Sequence, residues 1–236
     1  MLSKAGVGSR TDARKWIGAG RVAVNGKLIQ TPDTWVDLDR DKITLDGKPI
    51  QAQDRIYLLL YKPKGYLTTY KDPEGRATVY DLLKGLDQWV VPVGRLDQDT
   101  SGLLIMTNDT NFADYVMSPE YKVPKTYLVK TTTLITEEQI NQLRCGITLS
   151  DGPTKPATVS RLADTNSKST LEITITEGRN RQVRRMIEAI GSKVRKLVRT
   201  AIGPVRIEKL EIGRFRELTK QEVSLLFAAR VYNKAK

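Results

Sequence analysis

The chain has 236 residues, 39% of them hydrophobic, and its 39 Lys and Arg outnumber 27 Asp and Glu to give a formal net charge of +12. The absence of histidine excludes histidine general bases, Ser-His and Cys-His nucleophile pairs and histidine-ligated metals, and a lone cysteine excludes an intrachain disulfide and thiolate zinc sites. Chemistry must rest on carboxylates, Lys, Tyr, Ser, Thr or the one thiol. The length allows a small domain joined to a larger one. A basic excess of this size points to a polyanionic partner, nucleic acid first, although solubility alone is the bland alternative. No apolar run approaches the ~20 residues that span a membrane. The start, Met1-Leu2-Ser3-Lys4-Ala5, lacks the apolar core of a secretory signal. With so little cysteine, a cytoplasmic protein without membrane contact is expected.

Residues 1–30 carry six basic side chains (Lys4, Arg10, Arg14, Lys15, Arg21, Lys27) against one acidic, Asp12. Ser9 followed by Asp12 can cap a helix over 10–19. Ala13, Trp16 and Ile17 then share one face, leaving Arg10, Arg14 and Lys15 to solvent and to RNA. Val22 and Val24 alternate up to Asn25-Gly26, a hairpin signal, and a second turn at Asp46-Gly47 follows Ile43-Thr44-Leu45. The spacing predicts a small module with a basic face. In the acidic stretch 31–54, Asp37-Leu38-Asp39-Arg40-Asp41 opens like a calcium loop, but Lys42 and Lys48 stand where Gly and Glu are needed. It reads as a solvated turn. Residues 49–54 read as a short linker.

Beyond it, strands are predicted at 56–61, 89–93, 103–107, 127–132, 171–176, 194–198 and 205–210. Thr136-x-x-Gln139 and Thr219-x-x-Glu222 look like capping boxes that open helices. Cys145, after the helical stretch 137–144 and before Gly146, reads as structural. Strands and helices do not alternate regularly, which argues against a doubly wound parallel sheet. A mixed, mainly antiparallel sheet with flanking helices fits better, an α+β chain.

Three segments could carry chemistry. Tyr61-Lys62-Pro63-Lys64-Gly65-Tyr66 is a turn with two lysines after an apolar strand. Gly94-Arg95-Leu96-Asp97-Gln98-Asp99-Thr100-Ser101-Gly102 packs Arg, two Asp, Thr and Ser into a loop between apolar strands. Such a loop can project a carboxylate from a rigid support, or merely tie itself down by an Arg-Asp pair. The third is Glu177-Gly178-Arg179-Asn180-Arg181-Gln182-Val183-Arg184-Arg185-Met186, within a stretch 177–199 of eight basic and two acidic residues. On a helix over 180–190, Val183, Met186, Ile187 and Ile190 make an apolar face. Arg184 lies nearer its edge, where it could reach a partly buried acceptor, while Arg181 and Arg185 point away, where they could meet phosphate or solvent.

Lys62-Pro63-x-Gly65, Gly94-Arg95-Leu96-Asp97-x-x-Thr100-x-Gly102-Leu103, Lys125-x-Tyr127 and Arg181-Gln182-Val183-Arg184-Arg185, in that order and spacing, resemble the RsuA/RluB-type pseudouridine synthases over about 55–236. Residues 1–48 resemble the RNA-binding module of ribosomal protein S-four (the α-L motif). Similar chains carry a few more residues ahead of Leu2-Ser3-Lys4, so the first helix is expected to be clipped. The resemblance implies that Asp97 is the essential aspartate, Tyr127 stacks on the uracil and Arg184 pairs with Asp97. It places Arg95 and Lys62 in active-site and RNA-contact loops, and Leu197 beneath the base. Arg181 and Arg185 are expected at the RNA.

The chemistry suits this residue set. Uridine becomes pseudouridine by breaking N1–C1′, turning the uracil and joining C5 to C1′, an isomerisation that needs no cofactor or metal. A carboxylate can attack C1′ or abstract a ribose proton, and the sequence leaves both routes open. A guanidinium beside a carboxylate favours its ionised form. An aromatic platform offsets part of the cost of unstacking the base. A non-catalytic ribosomal-RNA-binding protein would not require the Arg-Leu-Asp loop. A methyltransferase would want a strand before Gly6-Val7-Gly8, and a nuclease would want its acidic cluster in the other module. Asp72-Pro73-Glu74-Gly75-Arg76-x-Thr78-Val79 and Asn180-Arg181-Gln182 look more like the large-subunit (23S) enzymes, Pro124-Lys125-Thr126-Tyr127 more like the small-subunit (16S) ones. The balance favours 23S RNA, with ribosomal RNA or a pre-ribosomal particle as partner and a monomer as the working form.

Overall fold

The computed structural model describes residues 2, 5, 7–37, 40–50 and 54–233, with side chains through 228. Parts of the acidic turn (38–39), of the expected linker (51–53) and of the stretch before the first helix (1, 3, 4 and 6) lie outside the described residues.

Near the start, α1 (Arg10–Gly18) opens on a reciprocal cap: Ser9 Oγ accepts from the Asp12 amide at 3.0 Å, and the Asp12 carboxylate accepts from the Ser9 amide. It packs on a four-stranded sheet of β1 (Val22–Val24), β2 (Lys27–Leu28), β3 (Ile43–Leu45) and β4 (Lys48–Pro49), in the order β2-β1-β3-β4. Both hairpins turn as expected. Asn25-Gly26 and Asp46-Gly47 all have positive φ, which gives the twist a two-residue hairpin needs. Leu2, Ile17, Val22 and Ile43 form a core of the module's own.

The rest of the chain builds a nine-stranded sheet. In chain order come β5 (Tyr57–Lys62), a 3₁₀ turn (Val79–Leu82), β6 (Val91–Pro92), β7 (Ser101–Thr107), α2 (Thr110–Met117) and β8 (Lys125–Thr131). Then follow α3 (Glu137–Cys145), the small hairpin β9 (Thr148–Leu149) and β10 (Gly152–Pro153), β11 (Thr158–Asp164) and β12 (Ser169–Ile175). Last are α4 (Gln182–Ala189), β13 (Val194–Ile202), β14 (Val205–Arg206), β15 (Phe215–Glu217) and α5 (Lys220–Asn233). The main path is β11-β12-β8-β13-β7-β5-β15, with β6 and β14 as short additions. Every pairing in it is antiparallel except β13 with β7. The mixed, mainly antiparallel α+β fold is as expected.

Capping boxes open α3 at Thr136 and α5 at Thr219, where the Thr219 hydroxyl and Glu222 carboxylate exchange bonds with each other's amides. Two expected strands are shorter than predicted, because Trp89–Val93 and Val205–Leu210 find partners for only two residues each before turning. Edge strand β11 escaped notice because only Val159 of its seven residues is buried. Helix α2, capped by Asp109 at the Asn111 and Phe112 amides, was not among the expected elements, although Phe112, Ala113, Tyr115 and Val116 fall on one buried face.

Alternation sorts the side chains of the sheet. Leu59, Leu103, Ile105 and Val198 face α2 and α5, against Phe112, Val116 and Leu226. On the other face, Leu58, Leu60, Leu104 and Met106 meet the 3₁₀ turn, while Val129, Leu171, Ile173 and Leu197 meet α3 and α4. That face is thus covered in two halves, and they meet where β7 and β13 run parallel. The register there aligns one transverse row: Lys62 opposite Gly102, Gly102 beside Arg199, Arg199 opposite Tyr127.

Gly102 makes the junction physically accessible. Its φ is +126°, and a Cβ there would lie 2.3 Å from the Arg199 carbonyl oxygen and 2.4 Å from its amide nitrogen. Backbone cannot yield as a flexible side chain can. Gly102→Ala is therefore expected to lose roughly 3–5 kcal/mol from backbone strain plus overpacking, and thermal melting should show a drop of at least about 6 °C. A melting point within about 2 °C of wild type would show that the two strands tolerate separation.

Candidate active site

The loop between β6 and β7 rises over this row. Lys62 ends β5 fully buried, and its Nζ donates to the carbonyls of Pro63 (3.1 Å), Asp97 (3.0 Å) and Thr100 (2.9 Å). Three ammonium hydrogens meet three acceptors. Burial pushes Lys62 down to about 8, against the upward pull of the Asp97 and Asp99 charges. Lys62 was expected at the RNA; with no surface exposed, it instead fastens the loop from below.

The same loop is tied from the side by α4. Arg184 is buried, and its Nη2 lies 3.1 Å from both the Asp99 carboxylate and the Asp99 carbonyl, and 3.4 Å from Thr100 Oγ1. It therefore pairs with Asp99, not with Asp97 as expected. The guanidinium beside Asp97 belongs to Arg181, with Nη1 3.6 Å from Oδ2 of Asp97; both its terminal nitrogens also reach Asp99 at 3.2 Å. The reason is local. The helix begins at Gln182, and Arg181 is its N-cap in a left-handed conformation (φ 47°), so its side chain leaves the helical projection. Burial pushes the Asp99 carboxyl up, but the Arg181 hydrogen bonds and the Arg184 and Arg181 charges outweigh it and hold it below the usual range.

Asp97 keeps a third of its side chain exposed and lines a cavity of about 570 Å³, inside the range of small-ligand sites. Tyr127 and Leu197 line it from the sheet, Arg95 and Arg181 from the loops. Arg184, Arg185 and Lys62 do not. Arg185 was expected to face RNA, yet its guanidinium is held by Asp151 at 2.8 and 3.0 Å, clamping α4 to the β9–β10 hairpin. Arg10, Arg14 and Lys15 are exposed on α1. Cys145 ends α3 and is exposed.

Four residues of the site lay outside the expected set. Asp99 anchors both arginines, and Lys125, Glu177 and Arg199 line the cavity. Lys125 and Arg199 carried a usable signal: each lies two residues from an expected site residue on a strand, hence on the same face.

Residues 56–189 match the family described as RNA pseudouridylate synthase, and residues 1–40 match the S4 domain. The chain belongs to the RNA pseudouridylate synthase family. This synthase is 41% identical over 236 residues to the ribosomal large subunit pseudouridine synthase B of Bacillus subtilis, covering 99% of this chain and 96% of that one. It is 42% identical over 230 residues to an uncharacterized RNA pseudouridine synthase of Aquifex aeolicus, covering 97% and 92%. A crystal structure of a pseudouridylate synthase matches with a TM-score of 0.69 at 32% identity, over 95% of this chain and 96% of that one. Among the described residues, no helix is long and apolar enough to cross a membrane.

Removing the ammonium while keeping its bulk separates a buried fastener from an RNA contact. Lys62→Met leaves three carbonyls without their donor, at about 1–3 kcal/mol for each that stays unsatisfied. The synthase variant should melt earlier and turn over more than tenfold slower, while its RNA dissociation constant stays within about twofold. A weaker RNA affinity with a reduced salt dependence would instead mean that Lys62 meets phosphate.

Proposed function

We propose that this chain isomerises one uridine of large-subunit ribosomal RNA to pseudouridine, with Asp97 as the group that acts on the ribose. The carrying observation is a carboxylate one-third exposed, 3.6 Å from a guanidinium, at a cavity that Tyr127 and Leu197 also line. The Bacillus subtilis relative, a ribosomal large subunit pseudouridine synthase B, supports the choice of the large subunit.

The target uridine leaves its stack and enters the cavity, where the Tyr127 ring and the Leu197 side chain offer an aromatic and an apolar surface to the base. Asp97 then attacks C1′ or takes a ribose proton, and N1–C1′ breaks. The detached uracil turns, C5 joins C1′, and the C5 proton is released. Arg181 balances the carboxylate charge and, with Arg184, fixes the loop through Asp99. Arg95, exposed at the rim, is suited to the backbone of the target strand.

In this reading residues 1–48 bind RNA and 55–236 carry the reaction. Of the expected linker 49–54, Pro49 closes β4 and the Ile50 amide donates to the Ile43 carbonyl, so those two belong to the first module. Arg10, Arg14 and Lys15 supply phosphate contacts beside the module's own core. The protein acts as a monomer in the cytoplasm, on ribosomal RNA or a pre-ribosomal particle.

Asp97→Asn keeps the shape of the side chain and removes its charge. Tritium release from C5-labelled uridine in a ribosomal RNA fragment should fall by more than a thousandfold, with RNA affinity nearly unchanged. Turnover within tenfold of wild type would sink the assignment. Replacing Arg10, Arg14 and Lys15 together with Gln should weaken binding and reduce the slope of log K against log salt by roughly one unit per lost contact. An unchanged slope would leave α1 without a role at the RNA.

A further inference from the structure

Two cations of the cavity wall stand outside the network that fastens the loop. Lys125 is half-buried, and its Nζ donates to the Val116 carbonyl at 3.2 Å. Arg199 is only 4% exposed; its Nε donates to the Leu103 carbonyl at 2.7 Å, and its buried Nη2 has no hydrogen-bond partner. Among the described residues neither has a carboxylate partner. Burial pushes Lys125 down to about 8, and the Arg199 charge acts in the same direction. Two like charges thus sit together in a poorly hydrated wall, a costly arrangement unless an electronegative guest completes it.

Their position says which part of a nucleotide can be that guest. Arg199 is directly opposite Tyr127 across the β13–β8 pair, and Lys125 lies two residues before Tyr127 on the same face. Directly opposed residues hold their Cβ atoms about 4.5–5.5 Å apart, so Arg199 starts beside Tyr127, and Lys125 lines the same cavity as the ring on which the base would stack. A phosphodiester must stay with the strand running along the surface, whereas a flipped base is the part that goes deep.

We propose that Arg199 and Lys125 are catalytic residues that take up the negative charge of the detached uracil. The inference rests on the reading of Asp97 given under Proposed function. When N1–C1′ breaks, its electron pair stays with N1, and the resulting uracil anion spreads that charge onto its carbonyl oxygens. On one route C1′ gains a bond to the Asp97 carboxylate oxygen; on the other, Asp97 has taken the 2′ proton and C1′ becomes doubly bonded to C2′. The anion turns and its C5 attacks C1′, expelling the carboxylate or drawing the proton back to C2′. C5 then loses its proton and N1 gains one, so the sum is an isomerisation. On either route the uracil is anionic between the two bond changes, when a fixed cationic wall helps most.

The test is single-turnover conversion by the full chain of an RNA fragment carrying uridine or 5-fluorouridine at the target, read by nucleoside analysis after digestion. 5-Fluorouridine has no C5 proton to lose, so its C5-linked product keeps the fluorine, takes up water across C6 and N1, and is counted in that form. Fluorine withdraws charge from the ring, so the anion depends less on the protein. Lys125→Met is expected to slow the uridine substrate about a hundredfold, leave RNA affinity unchanged, and show a defect at least fivefold smaller with 5-fluorouridine. Arg199→Gln should behave alike; if it does not fold, Lys125→Met carries the comparison alone. Equal slowing of both substrates would overturn the proposal in favour of a structural role. A loss of RNA affinity with a lower salt slope would overturn it in favour of phosphate binding. A wild-type chain that converts neither substrate would overturn the reading of Asp97 itself.

Discussion

The site depends on a missing methyl group. Without a β-carbon at Gly102, β7 and β13 can lie side by side at the centre of the sheet, where any larger residue would meet the Arg199 backbone at 2.3–2.4 Å. That contact sets the one parallel pairing of the sheet, and with it the row that runs from Lys62 through Gly102 and Arg199 to Tyr127. The cores beneath α4 and beneath the 3₁₀ turn end on either side of this row. The cleft lies at the seam between two packed halves, floored by strand backbone rather than by a mobile loop.

Charge is distributed over the row with a division of labour. Lys62 spends its three hydrogens on loop carbonyls and so fixes backbone. Asp99 takes Arg184 and most of Arg181, locking the loop to the start of α4. Asp97 is left with a single, longer approach from Arg181 and an open side toward the cavity. A carboxylate held in place through its neighbours, rather than by its own oxygens, keeps those oxygens available. The two aspartates of this short loop thus differ in position: Asp99 holds the loop and Asp97 faces the cavity.

Much of this was legible in the sequence, and the failures have identifiable causes. Binary patterning and turn chemistry fixed the first module, because Asn25-Gly26, Asp46-Gly47 and the Ser9–Asp12 cap are local signals that tertiary contacts did not override. Asp97 and Tyr127 came to one cavity as the motifs implied. The partner assignments went astray at Arg184 and Arg181, since helical projection holds only within a helix and Arg181 sits one residue outside it at positive φ. Lys62 was misjudged for a related reason. A lysine next to Pro-x-Gly looks exposed, and only the register with Gly102 shows that it lies under the loop. Arg185 looked free because its partner, Asp151, comes from a hairpin more than thirty residues earlier in the chain.

The most direct measurement is a map of pseudouridine across both ribosomal RNAs from cells carrying the intact gene, lacking it, or carrying Asp97→Asn at the native locus. The expected result is one large-subunit position that is pseudouridine with the intact gene and uridine in the other two strains. A position that survives Asp97→Asn but not the deletion would contradict the role given to this carboxylate, and a change confined to the small-subunit RNA would contradict the proposed substrate.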